Sequence, residues 1–358
     1  MKNILLILVG GTICTNVNEK GTLSVYEGAG VRLKEDFLAS GSFYADKVNI
    51  VLSENLFILS ENMTVENLNR IISLFRKEIK KADYDGVIFA HGTDTLAYTA
   101  SLFSFILADC KIPVFFVSSN KRLDLEDANG NDNFKAAVEC ICRKITPNVY
   151  VSYKNLSDNK MYLHLGSHIK QCENYSDDFY SIDKTDITDI NEQNYTEYFK
   201  IIEKKYPTNL KKPLIKIDGD WTLKNNVLYI IPYVSLNYEA FNYEKFKAVL
   251  HGSYHSGTAC VESKEQGETY GENSILKMID LAASSGADIY FSPAKREGEI
   301  YDTVRVMSEH RENNISFLYG TTNEAALTKL ILAYSYFEKR EDIKNFLNTQ
   351  CNFENAYK

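Results

Sequence analysis

Long apolar runs are missing from this 358-residue chain. Crossing a bilayer as a helix takes ~20 consecutive apolar residues, and no stretch reaches that, so no membrane partner is expected. The nearest imitation is at the amino terminus, where Met1-Lys2-Asn3 precedes Ile4 to Val9 in the manner of a signal peptide. Gly10-Gly11-Thr12 interrupts that run after six residues, so it reads as a first buried strand. A dense basic run is also missing: the net charge is -8, and the 24 tyrosines are scattered rather than set as a stacking platform. Both features argue against nucleic acid as a partner. Cysteine occurs seven times, an odd count without framework spacing, and Cys140-Ile-Cys142 lacks the two-residue gap of a zinc knuckle or redox pair. These read as reduced, mostly buried thiols, and with no secretory signal the sequon Asn62-Met-Thr64 carries no weight. His164 and His168 are four apart, as are His251 and His255, but neither segment has helical periodicity or supporting carboxylates. No metal and no organic cofactor are expected, and the cytoplasm is the default location.

What is present is ordinary for a globular protein: 44% hydrophobic and 25% charged residues. The length favours two domains over one core. Buried strands are expected at Ile4–Val9, Val48–Leu52, Val87–Ala90, Pro113–Val117 and Val149–Ser152. Between them, Val65, Leu68, Ile71, Ile72, Phe75 and Ile79 recur at helical spacing, and Leu96–Ala108 and Asp132–Arg143 have helical length. That alternation predicts an α/β fold with a mostly parallel sheet flanked by helices and right-handed crossovers. Residues 191–213, rich in Lys, Tyr and Asn, read as the connection between a large domain, 1–190, and a smaller α/β domain, 214–358. Residues 16 to 30 are polar, carry three glycines and read as a mobile loop.

Two strand ends each deliver a threonine inside a glycine-bearing turn: Gly10-Gly11-Thr12 and Gly92-Thr93-Asp94. In open α/β sheets ligands sit at the carboxyl ends of strands, where a helix amino terminus adds N–H donors. A threonine hydroxyl becomes a nucleophile when a neighbour takes its proton. Asp94 beside Thr93 is suited to orienting a water or holding a substrate ammonium. Singly, each cluster has a plain structural reading, since Thr and Asp at a helix start cap N–H groups.

Together, Gly10-Gly11-Thr12-Ile13 and Ala90-His-Gly-Thr-Asp-Thr-Leu-Ala-Tyr-Thr-Ala-Ser101 resemble the bacterial-type L-asparaginase/glutaminase family, and most of all its cytoplasmic type I members. The likeness continues in order through Ser60-Glu-Asn-Met-Thr64, Ser118-Ser-Asn-Lys-Arg-Leu123, Gly166-Ser-His-Ile-Lys-Gln171, Gly252-Ser-Tyr-His-Ser-Gly257 and Asn323–Lys329. The His-Gly-Thr-Asp-Thr run is the most specific of these, and the later matches are looser.

The resemblance implies hydrolysis of the side-chain amide of L-asparagine through an acyl-enzyme, with Thr12 as nucleophile. Thr93, Asp94 and Lys170 would form the second catalytic group. Asp94 and Thr93 would also grip the substrate, Ser60 would bind its α-carboxylate, and Asn120 in the third loop would contribute to binding. The small-molecule site would be completed in a homodimer or homotetramer. The family's loop tyrosine, aligned by Gly21, is Thr22 here, and Tyr26 is the candidate to replace it. Cys14, Thr258 and Lys121-Arg122 also depart from the family pattern. Three other readings stay open: an amidase for a different small amide, an amino-acid-binding protein with little turnover, and an ammonia-donating component of a tRNA-dependent amidotransferase. That last class is expected to carry an extra amino-terminal domain, whereas the first strand here begins at residue 4.

Overall fold

The computed structural model describes residues 1–262, 270–295, 300–310 and 315–355. The chain divides into two compact units, Met1–Asp220 with Gln350–Phe353, and Trp221–Thr349 with Glu354–Lys358.

The first unit opens with β1 (Lys2–Leu8), whose buried Ile4 to Leu8 make it an interior strand, flanked on both sides, as an apolar run without alternation requires. The segment from 16 to 30 is more ordered than its composition predicts. It forms a short antiparallel ribbon, β2 (Thr15–Val17) and β3 (Leu23–Val25), and then enters α1 (Ala29–Ala39). Next come β4 (Val48–Leu52), α2 (Val65–Glu78), β5 (Gly86–Ala90), α3 (Leu96–Ile106), β6 (Val114–Val117), α4 (Gly130–Cys142) and β7 (Val149–Lys154). Two strands that the sequence pattern does not announce, β8 (Met161–Leu165) and β9 (Lys184–Asp186), complete a seven-stranded sheet in the order β4-β1-β5-β6-β7-β8-β9. Strands β4 to β7 pair in parallel and the last two antiparallel. Residues 191–213 hold a helix, α5 (Tyr195–Lys205), that places Phe199 and Ile202 in the core of this unit. Helix α3 buries every residue but Tyr98, and the hydroxyls of its Thr99, Ser101 and Ser104 are hydrogen-bonded.

The second unit has its own core around a parallel four-stranded sheet, β10 (Val227–Ile230), β11 (Ala248–Gly252), β12 (Asp288–Ala294) and β13 (Ile315–Tyr319). Helices α6 (Ile275–Ser284), α7 (Asp302–Glu309), α8 (Asn323–Tyr336) and α9 (Arg340–Asn348) accompany it. The fold is thus mixed α/β with a large, mostly parallel sheet and a smaller sheet domain. No helix among the described residues is long and apolar enough to cross a membrane.

Candidate active site

Three loops leave the same edge of the first sheet, because β1, β4 and β5 are parallel neighbours. Each carries a residue singled out in the sequence. After β1 the chain turns through Gly11, at φ +77°, into a 3-10 turn, Thr12–Cys14. Thr12 is half-buried at its start, and Thr15 donates its hydroxyl to the Thr12 carbonyl at 3.0 Å. After β5, Gly92 leads into a second 3-10 turn, Thr93–Thr95. After β4 the chain reaches a third such turn, Ser60–Asn62, ahead of α2, whose start is capped by Thr64.

Glycine lets these loops touch. A Cβ on Gly11 would stand 2.0 Å from the Cα of Gly92, and one on Gly92 would stand 2.3 Å from the Cβ of Ser60. Any side chain at either position would push the three turns apart. The backbone contact therefore sets the nucleophile candidate beside the Thr93-Asp94 pair.

Side chains then join the loops. Ser60, 5% exposed, donates its hydroxyl to Asp94 Oδ2 at 2.6 Å, and Thr95 donates to the Ser60 carbonyl at 3.1 Å. Thr93 donates to the Ser119 carbonyl at 3.1 Å, fastening the β5 loop to the β6 loop. Asp94 itself is exposed. The helix-cap reading of Thr93-Asp94 does not hold: the amino-terminal cap position of α3 is Thr95, with no side-chain cap bond, and the Asp94 carboxylate is engaged by Ser60 instead.

Lys170 arrives from the far side of the sheet. Beyond β8 the chain passes along α3, with Ser101 donating to the Gly166 carbonyl at 2.9 Å and Tyr98 to Gln171 at 3.4 Å. Lys170 is exposed, its backbone N–H donates to the Tyr180 carbonyl at 2.9 Å, and its ammonium has no ion pair among the described residues. Two residues on, burial pushes the Cys172 thiol up to about 12, with Asp177, Asp178 and Asp94 adding to the rise. Cys172 is thus the residue of this segment that feels the Asp94 charge.

Asn120 and Asn129 clamp the third loop reciprocally: each backbone N–H donates to the other's side-chain oxygen, at 3.0 and 2.9 Å. The Asn120 side-chain nitrogen is buried without a hydrogen-bond partner among the described residues. Lys121 pairs with Asp127 and Arg122 with Asp124, so this departure from the family pattern forms local ion pairs. Tyr26 donates its backbone N–H to the Cys14 carbonyl at 2.8 Å, which holds it near the Thr12 turn. Its ring folds over Gly28, however, with the hydroxyl 2.2 Å from where a Cβ on Gly28 would be. Thr22 is at the ribbon tip, its N–H and hydroxyl both bonded to Asn18 at 3.1 Å.

No role follows from the sequence pattern for His91, which is fully buried between Gly92 and Thr99. The other histidines do not pair up. His164 Nδ1 bonds Ser181, His168 bonds the Phe353 carbonyl, His251 Nε2 meets the Tyr238 hydroxyl at 2.8 Å, and His255 is exposed.

Known proteins resemble this chain both in sequence and in fold. The family model described as "Asparaginase, N-terminal" matches residues 3–202, more than half of the chain. Among curated relatives, the D-type component of the glutamyl-tRNA(Gln) amidotransferase from Methanosphaera stadtmanae is 27% identical over 99% of this chain and 76% of its own length. The protein of the same name from Methanococcus maripaludis strain C6 is 25% identical over 68% of this chain and 56% of its own. The chain spans about half the length of most of the curated relatives it matches. In fold it is similar to the thermostable L-asparaginase from Thermococcus kodakarensis, with a TM-score of 0.72, 20% identity and 99% coverage of both chains. L-asparaginase I from Vibrio cholerae is similar at a TM-score of 0.68, with the same identity and coverage. With the family model matched along its whole first sheet, this chain belongs to the asparaginase family.

Proposed function

We propose that this chain is an amidohydrolase that converts L-asparagine to L-aspartate and ammonia through an acyl-enzyme on Thr12. The observation that carries the reading is the convergence of the Thr12 turn, Ser60 and Thr93-Asp94 through backbone contact and the 2.6 Å Ser60–Asp94 hydrogen bond. A small zwitterion needs a carboxylate for its ammonium and donors for its carboxylate. Asp94 supplies the first, and the Ser60 hydroxyl the second once it turns from Asp94 to the substrate.

In the first half-reaction the Thr12 hydroxyl oxygen adds to the side-chain amide carbon, and backbone N–H groups bear the oxyanion. The C–N bond then breaks, and the nitrogen leaves as ammonia with the threonine proton, relayed by the Tyr26 hydroxyl after its ring rotates away from Gly28. In the second, a water held by Thr93 with Asp94 and Lys170 adds to the ester carbon. The ester C–O bond breaks, the proton returns to Thr12, and aspartate is released. Asn120 shapes the side-chain end of the pocket through its loop clamp. A homodimer or homotetramer is part of the same proposal.

The test is ammonia release from asparagine by the purified chain, with glutamine and short asparaginyl peptides run alongside. Thr12→Ala is expected to lower turnover ~10⁴-fold, as loss of a nucleophile does elsewhere. A near-unchanged rate would remove Thr12 from its role. A second reading is supported by the Methanosphaera stadtmanae amidotransferase relative matched along 99% of this chain: ammonia supply to a tRNA-dependent amidotransferase. Ammonia release only in the presence of another protein component would favour it, and tight asparagine or aspartate binding with no ammonia would favour a binding protein.

A further inference from the structure

We infer that His91 is a positioning residue, held as a neutral imidazole that fixes the Gly92–Thr93 turn against helix α3. The role in turnover rests on the amidohydrolase reading; the role in holding the turn does not. His91 is fully buried, its Nδ1 lies 2.8 Å from the Gly92 carbonyl oxygen, and its Nε2 lies 2.9 Å from the Thr99 hydroxyl. A carbonyl oxygen only accepts, so Nδ1 carries the proton. In a neutral ring Nε2 then accepts, and Thr99, also fully buried, donates to it. Burial holds the ring neutral, pulling its pKa down to about 4. The Phe116 ring packs edge-on against it, with centroids 6.1 Å apart.

Position is what makes this contact matter. Gly92 is the residue whose backbone abuts Gly11 and Ser60, and Thr93 follows it directly. The imidazole therefore joins the end of β5 to α3 at the point where the three loops meet. Misplacing a reacting group by about 1 Å costs ~10²-fold in rate, so a tether here is felt in turnover before it is felt in folding.

Three substitutions separate the two ring contacts. Asn places an amide N–H near the position of Nδ1 and loses the Thr99 contact. Gln reaches towards Thr99 and loses Gly92, and Leu loses both. Because the tether needs both ends, all three variants are expected to lower kcat per folded site on asparagine ~10²-fold with KM changed less. Alongside kinetics, ¹⁵N NMR of the imidazole should report the neutral Nδ1–H tautomer at pH 7. Hydrogen exchange of the Thr95 and Leu96 amides, which close the 3-10 turn, should accelerate at least ~10-fold in His91→Leu while the β1 amides stay protected. An Nε2–H tautomer, unchanged exchange at Thr95 and Leu96, or near-parent kcat in the Asn or Gln variant would overturn the proposal. If the parent releases no ammonia, the amidohydrolase reading fails, and the tautomer and exchange measurements still decide this one.

Discussion

Gly11 and Gly92 meet backbone to backbone, with room for a hydrogen but not for a methyl group on Gly11. The parallel pairing of Leu8 with Ala90 sets both glycines just past the same strand ends, and the closeness follows.

Gly11→Ala meets two penalties at once, a left-handed backbone at φ +77° and a clash with Gly92. The expected destabilisation is about 3 kcal/mol, with loss of turnover as the Thr12 turn moves off the site. Gly21→Ala is the control, since Gly21 has a similar φ of +72° but open space around it. It should cost about 1 kcal/mol and leave turnover intact. Denaturant unfolding of the two variants would settle this, and equal losses would contradict the contact argument.

Ser60→Ala removes a hydroxyl bonded to a carboxylate. Hydrogen bonds to charged groups contribute about 1.5–3 kcal/mol, so KM for asparagine should rise ~10–100-fold. With the proposed nucleophile untouched, kcat should fall much less. Steady-state kinetics that show the reverse split would reassign Ser60 from binding to chemistry.

Three buried histidines make the fold sensitive to acid. Burial holds His91 and His251 down to about 4, against an opposing backbone hydrogen bond in each. His164 is held to about 3 by burial, with Lys184 adding to the fall. On acidification the unfolded chain binds protons through its ordinary pKa of ~6.5 while the folded chain stays neutral. Stability is therefore lost as the pH falls from ~6.5 towards 4, and these groups have no effect above that window. At pH 5 each should have withdrawn about 2 kcal/mol. His91 and His164 belong to the first unit and His251 to the second, so calorimetry should show both transitions moving down. Constant transitions between pH 6.5 and 5 would refute the titration scheme.

Lys329 and Glu354 form a buried pair at 2.5 Å in the second unit, and the same ammonium donates to the Thr349 carbonyl at 2.7 Å, just beyond α9. Glu354→Ala leaves that ammonium buried without its carboxylate and should destabilise the unit by about 3–5 kcal/mol. Replacing both partners, Lys329→Met with Glu354→Leu, should recover most of that. A double variant no more stable than the single one would show that the backbone bonds of Lys329 matter more than the pair.

The legible parts of the fold are those whose signal lies in one stretch of chain. Strand β1 is an uninterrupted apolar run, α2 repeats its buried residues on one face, and both are where the pattern puts them. Helix α5 and helix α9 each bury only two side chains, Phe199 with Ile202 and Ile343 with Phe346. Two anchors do not make a period, and in α5 the lysines and tyrosines dominate the composition. Strands β8 and β9 lie at one edge of the sheet and carry polar residues, so their pairing depends on a partner strand rather than on their own pattern. The site divides in the same way. Thr12 and Thr93-Asp94 stand out because glycine flanks them, whereas the Ser60–Asp94 bond joins residues 34 apart and is visible only in three dimensions. His91 carries no periodic signal at all; its two partners define it.

The ribbon beside Thr12 divides its duties along its length. Its base is fixed by the pairing of Thr15 with Val25 and by the Tyr26 bond to Cys14. Its tip is a self-contained turn in which Asn18 accepts from Lys20 and Thr22. The turn at residues 18 to 22 is thus closed by its own Asn18, and a change at Thr22 leaves the pairing that holds the threonine at the base in place.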